Sequence, residues 1–158
     1  MSNLEWLPEL VLFKNYGGNW ERYLAAIYQH FCADFVDNKP NFQGVRLGLK
    51  RHPVIDGKEA TFWHMISEGE KESERIPDFR RCERIRWAKS VIERNGEPVK
   101  IWREPRNVEN RIHLWLESEA YLVVLNERNG YILPWTAYVV EREHEKVKLN
   151  KRWEKYRN

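Results

Sequence analysis

The chain has 158 residues, a length that fits one domain, spanning residues 1–158, and lets roughly 70% of the unfolded surface be buried without disulfides or a structural metal. Hydrophobic residues make up 42% and charged residues 32%, which excludes a disordered tail and a collagen-like chain. No apolar run reaches the ~18 residues of a membrane span, and MSNLEWLPEL at the N-terminus lacks the basic and apolar blocks of a signal peptide. The expected address is the cytoplasm, with no membrane partner. Cys32 and Cys82, about fifty positions apart, support neither a disulfide framework nor zinc-ligand spacing, and both read as core residues.

The 27 Lys and Arg against 24 Asp and Glu give +3 at pH 7, unevenly spread. Acidic residues prevail over the first forty positions. Arg75, Arg80, Arg81, Arg84, Arg86 and Lys89 crowd the middle, and Lys146, Lys148, Lys151, Arg152, Lys155 and Arg157 close the chain. On one face such clusters neutralise phosphates; interleaved with Glu they make an ordinary solvated surface.

In chain order, Asn19 after Gly17-Gly18 caps a helix whose Trp20, Leu24, Ile27, Phe31 and Phe35 form one apolar stripe, with Pro40 as the stop. Val45, Leu47 and Leu49 alternate with polar or small residues as in a half-buried strand. Asp56-Gly57 marks a turn, Ala60–Ile66 reads as the next strand, and Gly69 ends it. Glu70–Arg75 reads as an exposed loop. Pro77-Asp78 opens a second helix with Phe79, Cys82 and Ile85 inward, and Arg80 and Arg84 four apart. Val99–Arg103 is a short strand followed by a loop containing Pro105. From Arg111 to Glu117, Ile112, Leu114 and Leu116 share one face, and Arg111, His113 and Trp115 the other. Tyr121–Leu125 suits a central strand covered on both sides. Asn129-Gly130 turns it into Tyr131–Val140, in which Leu133, Trp135, Ala137 and Val139 point one way and Thr136 and Tyr138 the other, with Pro134 implying an edge or a bulge. A last helix, about Glu141–Tyr156, directs Leu149, Trp153 and Tyr156 inward and His144, Lys148, Lys151 and Lys155 along a polar stripe. The class is α+β, with mostly antiparallel strands and at least three helices.

The chain has no phosphate-binding glycine loop, dinucleotide fingerprint, metalloprotease helix or nucleophile elbow. His30, His52, His64, His113 and His144 show no ligand spacing, so neither a metal nor a cofactor is expected. What remains is a polar sheet face with basic neighbours. Cleavage of RNA through its own 2′-hydroxyl needs one group to take the hydroxyl proton, another to protonate the leaving 5′-oxygen, and cations on the phosphorane-like transition state. Histidine titrates near neutrality, arginine grips phosphate with paired hydrogen bonds, and exposed aromatics stack on splayed bases.

Four strings in order carry a resemblance: FWHMISEG (62–69), PDFRRCERIRW (77–87), NRIHLWL (110–116) and YLVVLNERNGYILPWTAYVVEREHEKVKL (121–149). From Phe62 to Tyr156 the chain resembles phage-borne members of the nuclease superfamily that groups barnase, EndoU, the tRNA-cleaving colicins and RelE. The resemblance implies helices followed by a four-stranded antiparallel sheet, with RNA cut without a metal; residues 1–43, of which the first forty lie outside it, read as an N-terminal helical part and 44–158 as the nuclease-like core. It places the first-strand histidine at His64, the helix arginines at Arg80 and Arg84, the sheet arginine at Arg111, the last-strand hydroxyl and aromatic positions at Thr136 and Tyr138, and the following histidine at His144.

The expected catalytic set is therefore His64, Arg84, Arg111, Thr136 and Tyr138, with His113 in reserve on the face of Arg111; Arg80, Arg81, His144, Lys148 and Lys151 are the expected RNA contacts. Each has a bland alternative: a buried structural histidine for His64, pairing with Glu83 for the helix arginines, packing preference for Thr136 and Tyr138, and a solvated helix face for His144. The expected function is a metal-independent endoribonuclease, phage-derived or toxin-like, with RNA as substrate and an inhibitor or antitoxin protein as a candidate partner. The alternatives are a noncatalytic RNA- or protein-binding module and an assembly protein of a mobile element.

Overall fold

The computed structural model describes residues 4–69, 71 and 74–157. Asn19 caps α1 (Trp20–Phe31), its side chain accepting from the Arg22 N–H at 3.1 Å. Tyr23, Ile27 and Phe31 of this helix are buried, and the stripe continues through a wider turn, Cys32–Asp37, to buried Phe35. The Tyr23 hydroxyl donates to the Val11 carbonyl at 2.7 Å, tying the N-terminal segment to the core.

The strand expected over Val45–Leu49 shrinks to a two-residue β2 (Val45–Arg46) paired with β1 (Asn41–Phe42). The chain then runs beside the segment of Ile132 and Leu133: the Gly48 N–H donates to the Ile132 carbonyl, and a Cβ on Gly48 would lie 3.0 Å from Leu133. Leu47 is buried and Val45 exposed, so the alternation does not mark one continuous face.

Ala60–Ile66 is a helix, α2, and not a strand. Phe62, Met65 and Ile66 are buried together, the three- and four-residue spacing of a helical face, which a short, mostly apolar segment disguises. Thr61 locks the helix start by exchanging hydrogen bonds with the Lys50 backbone. β3 (Ser67–Glu68) pairs with β4 (Ile76–Pro77); of the loop expected between them, residues 70, 72 and 73 lie outside the described residues. Asp78 caps α3 (Phe79–Glu83) through the Arg80 N–H, and after a short turn the chain resumes as α4 (Trp87–Arg94). Cys82 and Ile85 are buried as expected, whereas Phe79 is exposed.

The remaining strands form one antiparallel sheet in the order β5 (Lys100–Arg106), β6 (Glu109–Leu116), β7 (Tyr121–Arg128) and β8 (Tyr131–Val139). Pro105 lies inside β5 opposite Asn110 rather than in a loop; an edge strand tolerates its missing N–H. On one sheet face Ile112, Leu114, Leu116, Tyr121, Val123 and Leu125 pack with the helices α1 to α4 in the main core. On the other, Trp102, Trp115, Leu122 and Val124 pack with Leu149, Trp153 and Tyr156 of α5 (Glu143–Tyr156). The class is α+β, and among the described residues no helix is long and apolar enough to cross a membrane.

Candidate functional site

The α5 face of the sheet is only partly covered, and polar residues occupy the rest of it. Strict alternation fails in β8 because the register with β7 shifts between Val124 and Leu125: Val124 faces Thr136 while Leu125 faces Pro134. The extra residue is Trp135, so this bulge puts Trp135, Thr136 and Tyr138 all on the α5 side and leaves Ala137 and Val139 in the main core. The grouping of Trp135 with Ala137 and Val139 expected from the sequence is thereby corrected.

A cavity of about 220 Å³ opens there, lined by Glu104 and Arg106 of β5, Arg111 and His113 of β6, Trp135, Thr136 and Tyr138 of β8 and Arg152 of α5. Its centre is a charged network. The Glu104 Oε2 accepts from the Trp102 indole at 2.6 Å and from the Arg152 Nε at 2.7 Å. The Arg152 Nη2 lies 3.0 Å from the His113 Nε2. A guanidinium only donates, so that nitrogen carries the lone pair and the His113 proton sits on Nδ1, which is 3.6 Å from Glu104. The Trp102 ring stacks on the imidazole, with centroids 5.0 Å apart.

Burial pushes the His113 pKa down to about 4; Glu104 opposes the shift and Arg152 adds to it. The imidazole is therefore neutral at pH 7. Burial alone would raise Glu104, but the hydrogen bonds from Arg152 and Trp102 hold it below the ordinary carboxylate value. Burial and then the Glu145 carboxylate raise Tyr138, so its phenol keeps its proton. Arg111 lies with its guanidinium carbon 4.3 Å from the Trp135 ring centroid, and its buried Nε has no hydrogen-bond partner. Directly opposite it in the register, fully buried Asn126 leaves both side-chain polar atoms without one.

Arg111, Thr136 and Tyr138 thus come together, and His113, held in reserve, lies among them. His64 does not line the cavity; it stands on α2, its ring 5.6 Å from that of Trp135. Arg81, whose side chain is 9% exposed, fastens α3 to its neighbours: its Nη1 donates to the carbonyls of His64 and Ser67 and to the Thr136 hydroxyl. Its guanidinium also lies 5.2 Å from the Tyr138 ring. Arg84 lies against Trp87 and Glu83 and lines a separate cavity with Arg80. His144, Lys148 and Lys151 are exposed on α5. Glu104, Arg106, Trp135 and Arg152 were not read as site residues from the sequence. Continuing β5 through Pro105 would have placed Trp102, Glu104 and Arg106 on one face, and the three-residue step from Leu149 would have put Arg152 on the inner stripe.

Among the described residues no group of three or more His, Cys, Asp or Glu is placed to hold one metal ion. Compared with protein-family models, curated proteins and solved structures, the chain matches none.

Proposed function

We propose that this protein is a metal-independent endoribonuclease that cleaves RNA by 2′-hydroxyl attack, in the manner of the barnase, EndoU, colicin and RelE superfamily. The observation that carries this reading is the convergence of Glu104, Arg111, His113, Tyr138 and Arg152 on one cavity of a sheet face. A phosphodiester entering it meets Arg111 and Arg152, whose paired donors suit its non-bridging oxygens. As Arg152 turns to the phosphate, Glu104 and His113 lose the cation that lowers both, and their proton affinity rises towards what a general base needs. Glu104 takes the 2′-hydroxyl proton, the oxygen bonds to phosphorus, the bond to the 5′-oxygen breaks, and the protonated Tyr138 phenol supplies the leaving oxygen with its proton. The products are a 2′,3′-cyclic phosphate and a 5′-hydroxyl. A phage-derived or toxin-like role accompanies this reading, and a protein inhibitor would act by covering the cavity.

Incubating mixed cellular RNA in EDTA with the protein, with Arg111→Ala and with Glu104→Gln tests the proposal. Cyclic-phosphate ends are expected from the parent and a loss of at least ~100-fold in either variant. Intact RNA over a range of pH, or equal cutting by folded variants, would overturn it. A noncatalytic RNA-binding module is the second reading, favoured because Arg152 already occupies both the His113 Nε2 and the Glu104 Oε2; salt-sensitive binding without turnover would establish it.

A further inference from the structure

The cavity described above does not stand alone. A second cavity, of about 280 Å³, adjoins it and shares Tyr138 and Arg152 with it; its other walls are Val140, Glu145, Lys148 and Leu149. A third, of about 560 Å³, shares Val140 with the second and is walled by Arg80, Arg84 and Lys146, with Ser118, Glu119 and Glu141 beside them. The three follow one another along β8 and its exit, from Thr136 through Tyr138 to Val140, with α5 as the far wall of the second. At ~3.3 Å per residue those four steps cover ~13 Å, more than a single phosphate occupies.

Cations outnumber carboxylates in each cavity: three to one in the first, two to one in the second and three to two in the third. In the third cavity Arg80 is paired with Glu141 at 3.2 Å and Arg84 with Glu83 at 3.3 Å, so a strand entering there exchanges these carboxylates for its phosphates. Both ends hold a guanidinium whose buried Nε has no hydrogen-bond partner, Arg111 in the first and Arg84 in the third. Between them Tyr138 lines both of the first two cavities, with the Arg81 guanidinium 5.2 Å from its ring centroid, and Trp135 adds a second aromatic ring to the first. A cationic groove with aromatic faces spaced along it is the chemistry that follows a single strand, neutralising its backbone and stacking its bases. The cavity beside Glu109 and Glu127, with Arg128 as its only cation, has the opposite balance.

We propose that these three cavities form one track for single-stranded RNA, in which the strand runs from the reaction cavity past Tyr138 and along α5 to Arg80 and Arg84. This rests on the endoribonuclease reading for the polarity of the site, but the track itself makes a claim about binding. Salt dependence of binding to a 2′-O-methyl oligonucleotide of about eight nucleotides, which cannot undergo the reaction, reads the number of phosphates held. Each contact contributes ~0.7 to the slope of log affinity against log salt for a single strand.

Arg80→Gln, at a side chain 57% exposed and therefore harmless to folding, is expected to lower the octamer slope by ~0.7, and Arg84→Gln to do the same. Lys155→Gln, on α5 but outside the track, is expected to leave it at the parental value. A slope unchanged in Arg80→Gln and Arg84→Gln, or lowered equally by Lys155→Gln, would overturn the track. The two readings fail separately. A parent that cuts RNA but holds the octamer with no steeper slope than a dinucleotide refutes the track alone. A parent that holds the octamer with the steeper, Arg80-dependent slope and cuts nothing supports the track and refutes the catalytic reading.

Discussion

His113 shows how burial and charge set a single residue's chemistry. Its side chain sits under Trp102 and against Arg152, a setting in which a proton on Nε2 would replace an accepted hydrogen bond with cation repulsion. The unfolded imidazole binds a proton near pH 6.5, whereas the folded one resists until about 4. Between those values the unfolded chain carries more protons than the native one, so stability is full above pH 6.5 and declines as the pH falls through this window, by up to ~1.4 kcal/mol per unit. His113→Gln keeps a polar group beside Arg152 and removes the titration; urea unfolding at a series of pH values is expected to show a flatter profile from pH 6.5 to about 4. A variant profile as steep as the parent's would place the acid sensitivity elsewhere. The face that His113 shares with Arg111 was legible from alternation alone, because β6 is regular along its length. Glu104 was hidden because a proline beside it suggested a loop, and Arg152 because a charged residue on an inward helical stripe looks like surface until the acid it meets is known.

At the scale of elements, two departures show where sequence periodicity loses its hold. The seven mostly apolar residues Ala60–Ile66 fit a strand or a helix equally by composition, and the choice fell to tertiary contacts: the Thr61 clasp to Lys50 and the burial of Phe62, Met65 and Ile66 together. In β8 one inserted residue changes which face Trp135 uses, and no local pattern locates the insertion although Pro134 hints at it. Helix α5 was legible because Leu149, Trp153 and Tyr156 repeat at helical spacing, and its docking rests on few groups. Leu149 is its only buried residue; Asn150 accepts from the Trp115 indole and from Lys100 and donates to Glu117. Leu149→Ala is expected to cost ~2–5 kcal/mol in urea unfolding. A cost below ~1 kcal/mol would mean that polar contacts alone hold the helix.

The whole molecule is a sheet shared by two cores, and that sharing governs how it comes apart. Neighbouring residues of β7 serve opposite sides: Tyr121, Val123 and Leu125 belong to the helical core, Leu122 and Val124 to the α5 core. β6 divides in the same way, with Leu114 on one side and Trp115 on the other. Neither core can lose its sheet wall without taking the wall from the other, since a strand that leaves carries both sets of side chains with it. Residues 4–43 are bound into the same unit, because Tyr23, Ile27 and Phe31 of α1 are buried in the helical core. Heat or urea should therefore unfold the chain in one transition, with far-ultraviolet circular dichroism and tryptophan fluorescence giving the same midpoint. Val123→Ala and Val124→Ala, adjacent in sequence but in different cores, should each move that single midpoint down. Two separated transitions, or a Val124→Ala effect confined to fluorescence while the far-ultraviolet midpoint stays fixed, would show that α5 and its core melt independently. Coincident transitions would mean that the cavity beneath α5 is lost only when the whole sheet is lost.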